Sequence, residues 1–289
     1  MQRYTGVILI LSAAFCWGMI GILARFLLAS GMTPAELAFW RTVIASLLFG
    51  AAAVVTRQPL RYGGKDISGF VLFGAGCLAV NFFCYMASVR AGGAALAIIL
   101  QYTAPAWVVI FARMLFAEPL TRPKCLAVLV SLAGVAMVSF SGSSGSSNIT
   151  VYSISLGLFT GFLFAVQTVG IKKLVSSYPP ITIFAYSFFF AALALFPLVD
   201  FVEKSLADWG ILLALGMGCT FLPFFLYAAG IKRIEASTAS IISTFEPVVA
   251  TLAAWLVWNE TFSSGGMLGV IMVIAAVFIL ILRTGPARR

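Results

Sequence analysis

The sequence predicts an all-α integral membrane protein with ten transmembrane helices, arranged as two inverted five-helix repeats. Three observations lead to this fold class: a shortage of charge, ten long apolar runs, and a second half that repeats the first. Of the 289 residues, 62% are hydrophobic and only 9% are charged. A soluble domain carries about 25% charged residues, so this chain cannot cover a water-facing surface and must be surrounded by lipid.

Each crossing of the hydrocarbon core needs about 20 apolar residues, and the chain offers ten such runs. The first run is too long for a cleaved signal peptide and lacks a small-residue cleavage site. Turn-forming residues or charges separate the runs, as at residues 30–34 (SGMTP) and Glu118-Pro119. Because lipid cannot satisfy backbone polar groups, each run is predicted to be a helix. The predicted spans are 4–29, 34–56, 69–90, 94–116, 123–140, 153–174, 181–199, 209–231, 236–258 and 265–282.

The chain overlays itself when it is shifted by 142 residues. Residues 74–100 align without a gap with residues 216–242, and the register continues to Glu118 and Glu260. The match includes glycine, cysteine and tyrosine, which chance similarity between apolar helices does not explain. The identical pairs in this stretch are Gly74/Gly216, Gly76/Gly218, Cys77/Cys219, Phe82/Phe224, Phe83/Phe225, Tyr85/Tyr227 and Ala87/Ala229.

Each copy contains five spans, and this odd number places the second copy upside down in the membrane. We predict a first repeat at residues 1–142, a Gly/Ser linker at 141–150 and a second, inverted repeat at 150–285. Inverted repeats are the architecture of secondary transporters, whose binding sites lie near the midplane at the repeat interface. The duplication therefore predicts alternating access.

The distribution of Lys and Arg predicts the orientation. With a cytoplasmic N-terminus, thirteen basic residues lie on the inner side and only two, Arg90 and Lys204, on the outer side. We therefore expect both termini in the cytoplasm and the protein in the cytoplasmic (inner) membrane. The net charge of +9 is spread over short loops and forms no patch, so no nucleic-acid partner is expected. The expected partners are membrane lipid and a small-molecule substrate; a monomer stays open.

Glu246 is the most informative residue, because it lies beside Pro247 inside an apolar run. Eleven residues separate it from Glu235 at the inner surface, which is about 16 Å along a helix and about half of the hydrocarbon thickness. An ionisable residue at this depth is a functional candidate, although a glutamate that only packs the bundle is the alternative. Pro105 occupies the matching place in the first repeat, where Ala104 replaces the carboxylate.

Polar and aromatic residues on the inner faces of several spans are predicted to line one cavity with Glu246. Polar atoms at this depth must face protein or water, although most single aromatic residues in membrane helices serve packing. The candidate substrate-binding residues are Glu246, Trp17, Asn81, Tyr85, Gln101, Tyr102, Gln167, Tyr227 and Ser243. The candidate helix-break or gating residues are Pro105, Pro247 and Pro223.

Three further charges are interpreted as structural. Arg41 lies about seven residues into the second span, where it is expected to snorkel or to pair with Glu36; a role as counter-ion for a substrate carboxylate is the alternative. Glu118 and Glu260 end the fourth and ninth spans and are expected to satisfy neighbouring helix termini.

Several classes of function lack their residues. The chain has no histidine and no phosphate-binding GxxxxGK[ST] loop, and its five cysteines lack metal-ligand spacing. We therefore expect no enzyme activity, no metal and no cofactor. A channel or a lipid-translocating protein stays open, but its polar groups would be spread along a path, whereas here they are few and central.

The segments APAWVVIFARMLFAEPLT and EPVVATLAAWLVWNETFS resemble the Pro-Val…Glu signature of the drug/metabolite transporter (DMT) superfamily, EamA type. The stretches AFCWG at 14–18 and FWR at 39–41 resemble its first- and second-helix motifs. This resemblance covers nearly the whole chain and implies a ten-helix transporter for small metabolites. Members include YddG-like amino-acid exporters, and plant, apicomplexan and Golgi relatives carry phosphorylated sugars or nucleotide sugars, so the resemblance by itself does not choose the substrate.

Together these observations predict a secondary transporter that exports small metabolites, with hydrophobic or aromatic amino acids as the leading substrates. Few fixed cations lie at depth, so a phosphorylated substrate is disfavoured. Export of lipophilic amines or drugs is the alternative, because Glu246 could meet an ammonium group in either case. The sequence leaves the energy source open.

Overall fold

A computed structural model describes residues 2–58, 62–141, 150–258 and 263–283. Within these ranges the chain forms ten helices that are long and apolar enough to cross a membrane, which confirms the predicted all-α membrane fold. The helices are α1 (Gln2–Ala29), α2 (Pro34–Val55), α3 (Gly64–Gly92), α4 (Leu96–Phe116), α5 (Arg122–Phe140), α6 (Val151–Leu174), α7 (Pro180–Leu198), α8 (Leu206–Ile231), α9 (Ala236–Val257) and α10 (Ser264–Leu282). The proposed linker at 141–150 falls almost entirely outside the described residues.

The two ends of the described chain lie on the same face of the bundle. The Arg3 guanidinium donates hydrogen bonds to the carbonyl oxygens of Leu280 (3.2 Å) and Ile281 (3.1 Å), which joins the start of α1 to the end of α10. We call this side the terminal face and the other side the opposite face. Because successive helices cross the bundle in opposite directions, the loops that follow α2, α4, α6 and α8 lie at the terminal face.

Side-chain caps start three helices at the opposite face. Thr33 accepts a hydrogen bond from the Glu36 amide at 3.2 Å where α2 begins. Thr150 and Ser205 form capping boxes at the starts of α6 and α8. Each cap satisfies amide groups that the first helical turn leaves unpaired, and so fixes where the chain re-enters the bundle.

Two helices widen at related positions. A π-helical segment occupies Leu72–Ala79 in α3 and another occupies Met217–Phe221 in α8. With the 142-residue shift, the second segment falls on residues 75–79, inside the first. π-Helical turns add one residue to a turn, bend the helix and are frequent at functional sites. The paired glycines of the repeat lie in or beside both segments.

Two other helices break at related positions. α4 is divided into Ala94–Gln101 and Ala104–Phe116, and α9 into Ala236–Ser243 and Glu246–Trp258. The two breaks are 142 residues apart. Discontinuous helices form the binding sites of many secondary transporters, so the breaks mark where a site is to be sought.

Helix packing has the exchange symmetry that a duplication predicts. The main contacts pair α1 with α8 and α3 with α6, and these pairs interconvert when the halves are exchanged. The pairs α2–α7 and α5–α10 map onto themselves. α5 and α10 meet at a glycine pair: a Cβ atom on Gly134 would lie 2.8 Å from the Gly269 carbonyl oxygen. The inverted repeat stays a prediction that this packing supports.

Candidate functional site

Glu246 lies at the break in α9, as the first residue of the second helical segment. Amide groups at a helix N-terminus carry partial positive charge and favour a carboxylate there. Pro247 takes the second position of that segment, where the missing N–H costs no helical hydrogen bond. The side chain of Glu246 is half-buried. The break therefore holds a carboxylate inside the bundle, away from both ends of α9.

Tyr102 occupies the matching break in α4 and meets Glu246 across the bundle. The Tyr102 side chain is 9% exposed, and its hydroxyl lies near the Glu246 carboxylate. Pro105 is buried near the start of the segment that follows. The two related breaks thus bring a phenol and a carboxylate together.

Tyr85 and Arg41 complete the group around Glu246. Both interact electrostatically with the Glu246 carboxylate, and both are half-buried. We call Arg41, Tyr85, Tyr102 and Glu246 the central cluster. Its members come from α2, α3, α4 and α9, so both halves of the chain contribute. The cluster holds one positive and one negative side chain.

Arg41 is held towards the interior of the bundle. Its Nε atom donates a hydrogen bond to Thr220 Oγ1 at 3.0 Å, and Thr220 lies in the π-helical segment of α8. The guanidinium carbon is 5.8 Å from the centroid of the Phe82 ring on α3. This placement differs from the expected snorkelling, because the guanidinium meets two helices of the interior and not the membrane surface.

The expected pair between Arg41 and Glu36 does not form. The fully buried Glu36 carboxylate instead makes a salt bridge to Lys204 and accepts a hydrogen bond from Trp40 Nε1 at 3.3 Å. Lys204 lies in the loop between α7 and α8. The residue pattern of one span does not reveal a partner from such a distant loop. In the folded protein Glu36 therefore pairs with Lys204, and the Arg41 side chain makes its contacts in the interior of the bundle.

Aromatic side chains form a wall beside the cluster. The Trp17 ring centroid lies 5.4 Å from that of Phe224 and 5.3 Å from that of Tyr227. Trp17 and Tyr227 are 6% and 2% exposed, so both are packed more tightly than Glu246. The Tyr227 hydroxyl lies beside Thr168 without a hydrogen bond of normal geometry in the described structure.

The polar candidates separate into engaged and unengaged groups. Asn81 Nδ2 donates to the Thr160 carbonyl oxygen at 2.9 Å, and Ser243 Oγ donates to a carbonyl oxygen of its own helix at 2.7 Å. The Asn81 bond joins α3 to α6, whereas the Ser243 bond stays within α9. Gln167 is buried in α6, whereas Gln101 is half-buried directly before the break in α4. Gln101 is therefore the polar candidate beside Tyr102.

Pro223 begins the α-helical part of α8, directly after the π-helical segment. It is buried near the start of Leu222–Ile231. Like Pro105 and Pro247, it begins a regular segment after an irregular one, which is a position that proline favours. Whether these three prolines act in gating stays a prediction.

A cavity of about 460 Å³ opens at the opposite face. It is lined by the starts of α2 and α6 and the ends of α3 and α7; its polar lining includes Thr33, Arg90 and Asp200. The lining residue Met86 lies one helical turn from Phe82, on the same face of α3. The central cluster does not line the cavity. The cavity lies nearer to the opposite face than the contact between Phe82 and Arg41.

A polar network joins helix ends at the terminal face. Glu118 accepts hydrogen bonds from the Ala236 amide (2.6 Å), the Ser237 amide (3.1 Å) and Ser237 Oγ (2.5 Å), and so caps the start of α9. Lys124 Nζ lies 2.9 Å from the Glu235 carboxylate and 4.0 Å from that of Glu118. These contacts place Glu118 at a neighbouring helix terminus.

Lys172 adds a second tie at the same face. Its ammonium donates to the carbonyl oxygens of Ile231 and Ile234, both at 2.6 Å, and joins the end of α6 to the end of α8. We call Glu118, Lys124, Lys172 and Glu235 the terminal-face network. Glu260, the partner of Glu118 in the repeat, lies outside the described residues.

Sequence reasoning missed two members of the site. Thr220 was not singled out, and the only signal for it is a hydroxyl in an apolar stretch of α8. Phe82 entered only as a repeated residue. Within the described ranges, no group of three or more Cys, Asp or Glu side chains is arranged to hold a metal ion.

In the described part of the chain, ten helices that are long and apolar enough to cross a membrane, two of them broken at related positions with Glu246 at one break, are typical of a secondary transporter. The chain belongs to the EamA-like transporter family, whose model matches residues 4–140 and 151–282. The two matched regions correspond to the two halves of the helical bundle.

Known relatives and a solved structure agree with this class. The chain is 26% identical to the uncharacterized inner membrane transporter YicL of Salmonella typhimurium, over 95% of this chain and 94% of the relative. It is 27% identical to the pseudopaline exporter CntI of Pseudomonas aeruginosa, over 94% of each chain. A crystal structure at 19% identity superposes with a TM-score of 0.84 and covers 97% of both chains, which shows the fold. The protein is therefore an integral membrane transporter, and inner-membrane relatives support that location.

Proposed function

We propose that this protein exports small metabolites that carry an amino group, with hydrophobic and aromatic amino acids as the leading substrates, by alternating access. The observation that carries the proposal is the half-buried carboxylate of Glu246 at the break in α9, facing Tyr102 and Tyr85. A carboxylate at this depth attracts an ammonium group, and aromatic faces suit both an apolar side chain and a cation.

Alternating access is supported by the unequal ends of the bundle. The opposite face carries the cavity, whereas the hydrogen bonds and ion pairs of the terminal-face network join helix ends at the other face. If the basic loops face the cytoplasm, as the charge distribution predicts, this arrangement is open to the outside. Export then requires a second arrangement in which the terminal-face network separates and the opposite face closes.

The relatives bear on direction more than on substrate. One relative carries the name of an exporter of pseudopaline, which supports export for this chain. Export of lipophilic amines is the second candidate, favoured by the aromatic wall of Trp17, Phe224 and Tyr227. The positive charge of Arg41 in the same cluster counts against a purely cationic substrate.

The proposal is tested by uptake of labelled amino acids into inverted membrane vesicles. We expect accumulation with the unchanged protein and a loss of at least about tenfold for Glu246→Gln, because the substitution removes a charge-assisted interaction. Glu203→Gln is the matched control, since Glu203 is exposed in the loop after α7, and it should transport normally. Full activity of Glu246→Gln at normal protein levels would remove this carboxylate from the mechanism. Release of protons during substrate flux would show that transport is coupled to protons.

A further inference from the structure

We infer that Arg41 binds the carboxylate of the substrate, so that the central cluster recognises a zwitterion, with the substrate ammonium at Glu246 and its carboxylate at Arg41. This inference rests on the proposed function and narrows it. It makes Arg41 the residue that separates amino acids from amines of the same shape.

The hydrogen-bonding capacity of Arg41 is mostly unused. Its Nε atom donates to the neutral hydroxyl of Thr220, and no hydrogen bond or salt bridge from either Nη atom is found in the described structure. A charged side chain inside a membrane protein normally faces a partner or a water-filled space. The two Nη atoms form a planar fork that fits a carboxylate, and the bond to Thr220 holds that fork in place from behind.

Glu246 is not the anion that pairs with the two Nη atoms of Arg41. The two charges interact electrostatically, yet no direct salt bridge joins them in the part of the chain that the structure describes. Arg41 is held by its hydrogen bond to Thr220, and Glu246 lies at the start of its helical segment, near Tyr102. Two opposite charges that do not pair with each other can each pair with the opposite charge of a zwitterion.

The balance of charge in the cluster favours the same ligand. One guanidinium and one carboxylate sum to zero, so a net neutral zwitterion enters without an unpaired charge in a low-dielectric site. An amine alone would leave Arg41 unpaired, and a carboxylic acid alone would leave Glu246 unpaired. Phe82, whose ring lies under the guanidinium, and Tyr85 offer apolar surface to the side chain of the substrate.

The cavity lies on the same face of α3 as the contact between Phe82 and Arg41. Met86 lines the cavity and lies one turn of α3 from Phe82, which the guanidinium overlies. A solute entering from the opposite face therefore meets the side of α3 that leads to Arg41. Glu246 lies beyond, at the break in α9.

The test uses four probes that differ only in their charged groups: L-phenylalanine, L-phenylalaninamide, 2-phenylethylamine and 3-phenylpropionate. Binding to the purified protein in nanodiscs is measured by calorimetry, which avoids passive permeation of the uncharged probe forms. For the unchanged protein we expect L-phenylalanine to bind about tenfold or more tightly than each probe that lacks one charge.

Variants of Arg41 and of Glu246 must then affect different probes, according to which charge of the substrate each residue binds. Arg41→Gln should weaken L-phenylalanine by about 10- to 100-fold and leave 2-phenylethylamine within about twofold. Glu246→Gln should weaken both, while 3-phenylpropionate is retained. Arg41→Lys should restore part of the affinity for L-phenylalanine, because it restores the charge without the fork. Arg113→Gln, at an exposed position of α4, is the matched control and should change nothing.

Thr220→Val provides a second variant should Arg41→Gln not fold. It keeps the charge of Arg41 but removes its hydrogen bond, and should weaken L-phenylalanine several-fold without affecting 2-phenylethylamine.

The outcomes separate the inference from the proposed function. Equal losses of L-phenylalanine and 2-phenylethylamine in Arg41→Gln, or no loss of either, would overturn the inference and leave amino-acid export standing. Binding of none of the twenty amino acids by the unchanged protein would overturn both.

Discussion

Glu118 is the residue of the terminal-face network that joins the end of α4 to the start of α9. Its carboxylate accepts three hydrogen bonds from the first residues of α9 and is only 8% exposed. Two acceptor oxygens serve two amides and a hydroxyl, and the negative charge is favourable at a helix N-terminus. Glu118 thereby links the end of α4 to the start of the helix that carries Glu246.

Replacing Glu118 with glutamine should destabilise the protein. The amide keeps one acceptor oxygen and presents N–H donors to the donors of α9, and we expect a loss of about 1–3 kcal/mol. The measurement is the apparent melting temperature in detergent by fluorescence-detected size exclusion. Glu203→Gln serves as the control of equal chemistry at an exposed site. Equal melting of the two variants would contradict this account.

At the scale of elements, the breaks in α4 and α9 are held by close helix contacts. A Cβ atom on Gly18 of α1 would lie 2.6 Å from Val249 Cβ and 2.9 Å from the Glu246 carbonyl oxygen. A Cβ atom on Gly161 of α6 would lie 2.6 Å from the Leu100 carbonyl oxygen beside the other break. In each half, therefore, a glycine lets a neighbouring helix approach the irregular backbone.

Gly18→Ala tests this contact in α1. The added methyl group overlaps α9 at the break, so we expect a loss of about 1–3 kcal/mol together with reduced transport. Gly21→Ala in the same helix is the matched control, because no atom lies within 4 Å of its added Cβ; it should be neutral or slightly stabilising. Thermal unfolding and vesicle uptake are compared for the two variants. An unchanged Gly18→Ala would mean that α1 and α9 do not meet this closely.

At the scale of the whole molecule, the two faces differ in what holds them. The terminal face has the ion pair of Lys124 with Glu235, and the opposite face has that of Glu36 with Lys204. These pairs are not related by the repeat, which places Gly93 and Gly266 where the terminal face has Glu235 and Lys124. Under the proposed alternating access, unequal faces give the two arrangements unequal stability. The substrate must then shift the balance by binding one arrangement more tightly than the other.

The orientation of these faces can be measured by thiol labelling. Glu203→Cys lies in the loop between α7 and α8, and Lys232→Cys lies between α8 and α9; both native side chains are exposed. We expect a membrane-impermeant maleimide to label Glu203→Cys on intact cells and Lys232→Cys only after permeabilisation. The unchanged protein, with its five native cysteines, is the blank. The reverse pattern would invert the proposed orientation, and equal labelling would contradict the alternation of spans.

Much of the fold could be predicted because lipid imposes it locally. Apolar runs, turn residues and the need for internal hydrogen bonds define each helix without reference to the others, and the start of α3 at Gly64 instead of residue 69 is a boundary effect. Glu246, Tyr102 and Tyr85 could be singled out because polar atoms at depth are rare and stand out in an apolar sequence.

The placement of Arg41 could not be predicted in this way. From the sequence, an arginine two turns inside a helix has two solutions of similar cost, snorkelling or an interior partner. The choice depends on Lys204, which takes Glu36, and on Thr220, which the π-helical segment of α8 turns towards α2. Both residues are more than 160 positions away in the chain.

The sequence by itself determined the membrane fold, the number of spans, the internal duplication and the carboxylate at mid-depth, because each depends on composition, periodicity or register within one segment. The tertiary structure alone decided which charges meet, which helix ends are joined at each face and which side chains surround Glu246. Those outcomes depend on contacts between segments far apart in the chain, and no local pattern encodes them.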